Sequence, residues 1–295
     1  MRWRAGRRSE NIEDRRGVRP AARVGGLGGL GLLLVFGIAL LAGVNPLELI
    51  GMLGEDPGWA PTSQAPPDPR SATPGTPGRP ATDPQVDFVS VILADTEDTW
   101  GQIFAGAGRR YEAPRLVLFT RATPSACGLG QAAMGPFYCP LDRQVYMDLA
   151  FLRELDRRFG APGDFAQAYV IAHEVAHHVQ NLLGISDRIQ EMRRRASPGQ
   201  ANALSVLLEL QADCLAGVWA HHADRQRNVL EPGDVEEGLR AAAAIGDDVM
   251  QRRAQGQVVP ESWTHGSSAQ RVEWLRRGLT TGRVEQCDTF RSTRR

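Results

Sequence analysis

From Val24 to Val44 the chain runs through twenty-one residues, rich in glycine and leucine, without one charged side chain. A helix of that length rises roughly 30 Å, the thickness of a bilayer's hydrocarbon core. The stretch therefore splits the chain into a short leading segment and a long remainder that must supply any folded domain. Eight arginines lie between Met1 and Arg23, against Glu10, Glu13 and Asp14. A positive flank of this kind predicts a cytoplasmic N-terminus, with everything after Val44 outside. A cleaved signal sequence is the competing reading, but Ala39-Leu40-Leu41-Ala42 makes a poor small-x-small cleavage site. A buried water-soluble helix would have to carry seven glycines between Val24 and Val44, which disfavours it. The expectation is a single-pass membrane protein: residues 1–23 basic and cytoplasmic, 24–44 in the bilayer.

Residues 55–85 are dense in Pro, Gly, Ser, Thr and Asp and cannot bury enough apolar surface to order themselves, so they read as a linker. The domain is then expected at 86–290. The formal net charge is zero, which argues against nucleic acid as a partner, and every basic residue is arginine. Cys127, Cys139, Cys214 and Cys287 lie in the part expected outside the cytoplasm, where disulfides form. Cys127 with Cys139 closes a short loop and is the preferred bridge; free buried thiols are the alternative. The close C-x-x-C spacing of a cysteine-rich zinc site is absent.

Arg115–Thr120 and Gln144–Asp148 read as strands, and everything after Leu149 reads helical. Asp164, after Pro162-Gly163, can cap a helix running to about Leu183, where Gly184 ends it. Leu204, Leu208, Leu215 and Val218 recur at helical spacing in a second helix, from near Gln200 to His222. Asp234 with Glu237, and Ser267 with Gln270, have capping-box spacing for two more. A small mixed sheet followed by a helical bulk is an α+β plan.

Within the first of these helices stands His173-Glu174-Val175-Ala176-His177. Two histidines four apart lie about 40° from one another on one face, placed to grip one tetrahedral metal ion. Glu174 projects beside that ion, where a carboxylate can take a proton from metal-activated water and pass it to a leaving amine. A catalytic zinc needs a third protein ligand, and Glu209 and Asp213 share one face of the second helix among apolar neighbours. Carboxylates there are costly unless compensated. Glu209 is the economical ligand, with Asp213 accepting the other N–H of a ligand histidine. The reverse assignment, or a merely solvated pair, stays open. His265, just before the last helix, is a candidate donor to the oxyanion of a tetrahedral intermediate. His178, His221 and His222 read as structural.

Taken together these residues resemble the bacterial "putative neutral zinc metallopeptidase" family. The likeness runs from Met1-Arg2-Trp3-Arg4 and NIEDRRG (Asn11 to Gly17) through TEDTWGQIF (Thr96 to Phe104), SACG (Ser125 to Gly128) and AMGPFYCP (Ala133 to Pro140). It continues in GDFAQAYVIAHEVAHHVQ (Gly163 to Gln180), NALSVLLELQADCLAGVWAHHA (Asn202 to Ala223), AAAAIGDD (Ala241 to Asp248) and THGSSAQR (Thr264 to Arg271). It implies a zincin-like fold with one zinc ion on His173, His177 and Glu209 and catalysis by Glu174. Ala176 stands where the family often has glycine; both are small. The expected function is a membrane-anchored zinc peptidase acting on peptide or protein substrates, its metal domain extracytoplasmic. A non-catalytic scaffold binding partner proteins, or a zinc hydrolase of a non-peptide amide, are the alternatives. Neither substrate identity nor oligomeric state is written in the sequence.

Overall fold

The computed structural model describes residues 1–17, 83–132, 135–157 and 159–291. The apolar stretch 24–44 and nearly all of the proline-rich segment lie outside these residues.

Three parallel strands, β1 (Ile12–Asp14), β2 (Arg115–Phe119) and β6 (Gln144–Asp148), lie side by side, and β5 (Phe137–Cys139) closes one edge antiparallel to β6. β3 (Ala122–Ser125) and β4 (Gly128–Gln131) form a separate antiparallel pair. Alternation along β2 and β6 divides their side chains between two faces. Leu116, Leu118, Val145 and Met147 enter the main core beneath the helices. Val117, Phe119 and Tyr146 pack with Cys139 in a smaller cluster. The Cys127–Cys139 disulfide ties the turn between β3 and β4 to β5.

The helices are α1 (Pro84–Gly106), α2 (Leu149–Arg157), α3 (Asp164–Leu182), α4 (Ile185–Arg194), α5 (Pro198–Arg227), α6 (Asp234–Ala244), α7 (Asp247–Gln255) and α8 (Ser268–Thr281). With the small sheets they make the mixed α+β architecture expected of a zincin-like domain. α1 has no counterpart in the sequence reading. Val89, Val91, Ile92, Leu93 and Ala94 are all buried, so no polar stripe marks its period. Its start is legible afterwards: Pro84 opens the helix and the Asp83 carboxylate accepts from Gln85 N at 2.9 Å. α5 and α8 begin with capping boxes at Ser197–Gln200 and Ser267–Gln270. The box expected at Asp234 and Glu237 does not form; Gly233 is the cap, and the Glu237 carboxylate accepts from Phe165 N at 3.3 Å on the neighbouring α3.

α5 and α8 meet through glycines. A Cβ on Gly278 would lie 1.9 Å from Cys214 O, and one on Gly217 would lie 2.3 Å from Leu275 O. Backbone therefore touches backbone, and α8 is held against the part of α5 that carries Glu209 and Asp213. α5 is long and apolar enough to cross a membrane by composition, yet it is mostly buried within the body.

The second bridge, Cys214–Cys287, spans a sequence separation of 73 and ties the chain's end to α5. Cross-links closing long loops restrict the unfolded chain most. Replacing both cysteines with serine should cost about 2–4 kcal/mol, read as a lower denaturant midpoint at unchanged slope.

The folded body extends beyond the expected 86–290, because residues 1–17 belong to the same compact unit as the residues from 83 onward. Trp3 stacks edge-on against Phe88 of α1 at 5.1 Å. The Met1 ammonium donates to Asp164 Oδ1 at 2.7 Å and lies 3.3 Å from Asp234 Oδ2. Glu13 and Asp14, which read as charges in a flank, lie in a strand on the edge opposite β5.

Candidate metal centre

α3 and α5 pack face to face and bring three donors together. His173 Nε2 lies 3.1 Å from Glu209 Oε2, and His177 Nε2 lies 3.4 Å from Glu209 Oε1. One ligand atom from each of the three falls within 4.8 Å of the others. Two donors of a tetrahedral zinc with bonds of ~2.0–2.1 Å stand about 3.3–3.4 Å apart, so the trio fits such an ion. The charge of the pocket agrees. Burial opposes protonation of His173, yet Asp213 and Glu209 outweigh it and push its pKa up to about 10. His177 is raised too, against its burial, chiefly by Glu209. Despite its own burial, Glu209 is held well below the usual carboxylate range by the two imidazoles. These residues are arranged for a cation.

Each histidine is oriented from behind. His173 Nδ1 lies 2.9 Å from Asp213 Oδ1. Asp213 is fully buried and is gripped by Arg271 of α8, with Nε to Oδ2 and Nη2 to Oδ1 both at 2.9 Å. Tyr169, one helical turn before His173, donates its hydroxyl to Asp213 Oδ1 at 2.5 Å and accepts from Arg271 Nη2 at 3.1 Å. Burial works against ionisation of Asp213, but the Arg271 charge and the His173 contact bring its pKa down to about 2. Asp213 therefore meets the His173 ring at Nδ1, and Glu209 meets it at Nε2. His177 Nδ1 lies 2.8 Å from Gln180 Oε1; Gln180 Nε2 donates to Leu208 O at 2.7 Å and to Gln211 Oε1 at 3.1 Å. Gln211 Nε2 in turn donates to Cys287 O at 3.0 Å.

Glu174 is 8% exposed, and no other described side chain hydrogen-bonds to it. Burial raises its pKa, with the two histidines pulling the other way. A carboxylate so placed is left with a basic oxygen to offer a small molecule.

His265 is not one of the three grouped donors. Its ring Nδ1 meets Asp247 Oδ1 at 3.2 Å, and its side chain is 53% exposed. The Asp247 contact favours its protonated form, with Glu209 adding to the effect at longer range. Asp247 Oδ2 also accepts the backbone N–H of Thr264, His265 and Gly266 at 2.8, 2.7 and 2.9 Å, which sets the loop that carries the ring.

The remaining histidines hold structure. His178 bridges Tyr138 OH and Glu112 O; His221 and His222 meet Leu279 O and Gly282 O. A second acidic group, Asp164, Asp234 and Glu237, gathers around the Met1 ammonium, which pairs with the two aspartates.

Sequence reasoning missed Arg271, Tyr169, Gln180 and Asp247. A signal existed for Arg271: a carboxylate on the apolar side of a helix calls for a buried cation as well as a histidine. Tyr169 had one as well, four residues before His173 on the same helical face.

The mixed α+β body thus brings two histidines and a glutamate together in a group that could hold a metal ion. The chain belongs to the family described as "Putative neutral zinc metallopeptidase", which matches residues 1–290. It is 48% identical over 295 residues to the uncharacterized protein YpfJ of Escherichia coli K12, covering 98% of this chain and 99% of that one. It is 44% identical over 190 residues to an uncharacterized protein of Mycobacterium tuberculosis H37Rv, covering 61% of this chain and 63% of that one. No solved structure matches it.

Proposed function

We propose that this protein is a zinc-dependent peptidase that hydrolyses peptide bonds in protein substrates. The observation that carries the reading is Glu174, a buried carboxylate without a hydrogen-bonding partner among the described side chains, next to a donor trio spaced for one ion. A purely structural zinc site is closed and has no use for a base beside it, which disfavours the scaffold alternative.

His173, His177 and Glu209 hold the ion, and zinc when bound supplies Lewis acidity to a water molecule and a substrate carbonyl. Glu174 takes a proton from the attacking water and returns it to the departing amine. Its burial raises its proton affinity, as that exchange requires. Asp213 and Gln180 fix the faces of the two imidazoles, so that both Nε2 atoms point to one place. His265, steadied by Asp247, donates to the oxygen on which negative charge gathers.

The test uses the full chain, since residues 1–17 are part of the fold. Purified protein should bind one zinc per chain and cleave casein; chelation should abolish cleavage and added zinc restore it. Bound zinc with no cleavage of casein or a broad peptide panel, alongside hydrolysis of cell-wall amides, would replace peptidase with the amide reading. Folded protein that takes up no zinc would remove the reading altogether.

A further inference from the structure

Residues 1–17 touch the metal-bearing body along their whole length. β1 hydrogen-bonds parallel to β2, with Ile12 opposite Leu116 and Asp14 opposite Leu118. Ser9 N donates to Ser90 O at 3.0 Å, while Ser9 Oγ and Asn11 Nδ2 donate to Glu97 Oε1 at 2.5 and 2.8 Å. Arg16 reaches Asp83 Oδ2 at 2.6 Å, so the described residues on either side of 18–82 lie within reach of one guanidinium. The arginines of this segment also have work inside the fold. Arg7 pairs with Glu97 and Asp98, Arg8 with Asp87, Arg15 with Glu13, and Arg16 with Asp14 as well as Asp83. Their presence therefore has a reason independent of any charge rule for membrane orientation.

We propose that residues 1–17 and the metal-bearing body occupy the same aqueous compartment, so that the chain joining them makes no net membrane crossing. A covalent chain that starts and ends in one folded body crosses any membrane an even number of times. Two crossings require about forty apolar residues, and the apolar stretch Val24–Val44 offers length for about one. No net crossing remains. This sets aside the N-in, domain-out orientation that the arginine count alone predicts. It is independent of the chemistry at the metal centre.

The cysteine content makes the test clean: Cys127, Cys139, Cys214 and Cys287 are all paired. Glu10→Cys and Arg110→Cys are two single variants at exposed positions, one in the N-terminal segment and one in the body. Each full chain is expressed in cells, and intact spheroplasts are treated with a membrane-impermeant maleimide; lysed cells and the parent chain serve as references. The labelling ratio of the two variants should be near unity, both reacting from outside, as the disulfides favour, or both shielded until lysis. One variant labelled while the other stays shielded would overturn the proposal.

Discussion

Glu174→Gln should retain zinc and lose cleavage. The glutamine keeps the shape of the side chain but cannot take a proton, and general-base help of this kind contributes about 10²–10⁴-fold in rate. The drop should appear in kcat with little change in KM, because the amide still fills the space while the proton-transfer step fails. Zinc content measured beside activity separates this outcome from damage to the ligands. His173→Ala should instead lose the metal, and activity with it. A Glu174→Gln protein with wild-type cleavage would place the base elsewhere. The variant should fold at least as well as wild type. Glu174 is buried and its carboxylate is disfavoured there, so a neutral amide relieves a desolvation cost instead of adding one.

The largest loss of stability is expected from Arg271→Met. Arg271 is 2% exposed and donates to both oxygens of an Asp213 that water does not reach, as well as to Tyr169 and Ile245 O. Removing one partner of a buried, hydrogen-bonded pair leaves an uncompensated charge and costs about 3–5 kcal/mol. Chemical denaturation of the metal-free protein is the direct measurement. Asp213 then has only His173 and Tyr169, so its carboxyl should ionise less readily. The sign of the wild-type pH dependence follows from the depressed value. Asp213 stabilises the fold fully above the ordinary carboxyl range, and that contribution disappears as pH falls through about 2. Arg271→Met together with Asp213→Asn should recover part of the loss, since no lone charge then remains. A single variant as stable as wild type would mean that water enters to replace the guanidinium.

The elements that were legible in the sequence are those whose two faces see different surroundings. β2 and β6 alternate between two cores, and α3 carries its donors on one side. α1 was not legible because its first half is buried all round, so neither period nor polarity marks it. β1 was hidden for the opposite reason: Glu13 and Asp14 sit beside arginines, and charges near an apolar stretch read as a flank. In the fold these same charges are paired with Arg15, Arg16 and Arg115. Spacing put His173 and His177 on one face of α3, and Glu209 and Asp213 on one face of α5, because helix geometry is fixed by sequence separation. It could not reveal Arg271, whose role depends on α8 docking against α5 through Gly217 and Gly278, or Asp247, whose role depends on how the loop carrying His265 meets α7.

The hydrogen bonds behind His177 have a direction. Gln180 turns its oxygen toward the ring, so the His177 Nδ1 that meets it carries a hydrogen. The amide nitrogen of Gln180 is then committed to the oxygens of Leu208 and Gln211, and the nitrogen of Gln211 to the carbonyl of Cys287. Neither glutamine is free to flip: reversing either amide sets oxygen against oxygen at one end and hydrogen against hydrogen at the other. The tautomer of one imidazole is thereby tied, through two side chains, to the backbone of a residue held to α5 by a covalent bridge. The polarity of this relay excludes an acidic residue at either glutamine, however close in size, because a carboxylate has no hydrogen to pass along.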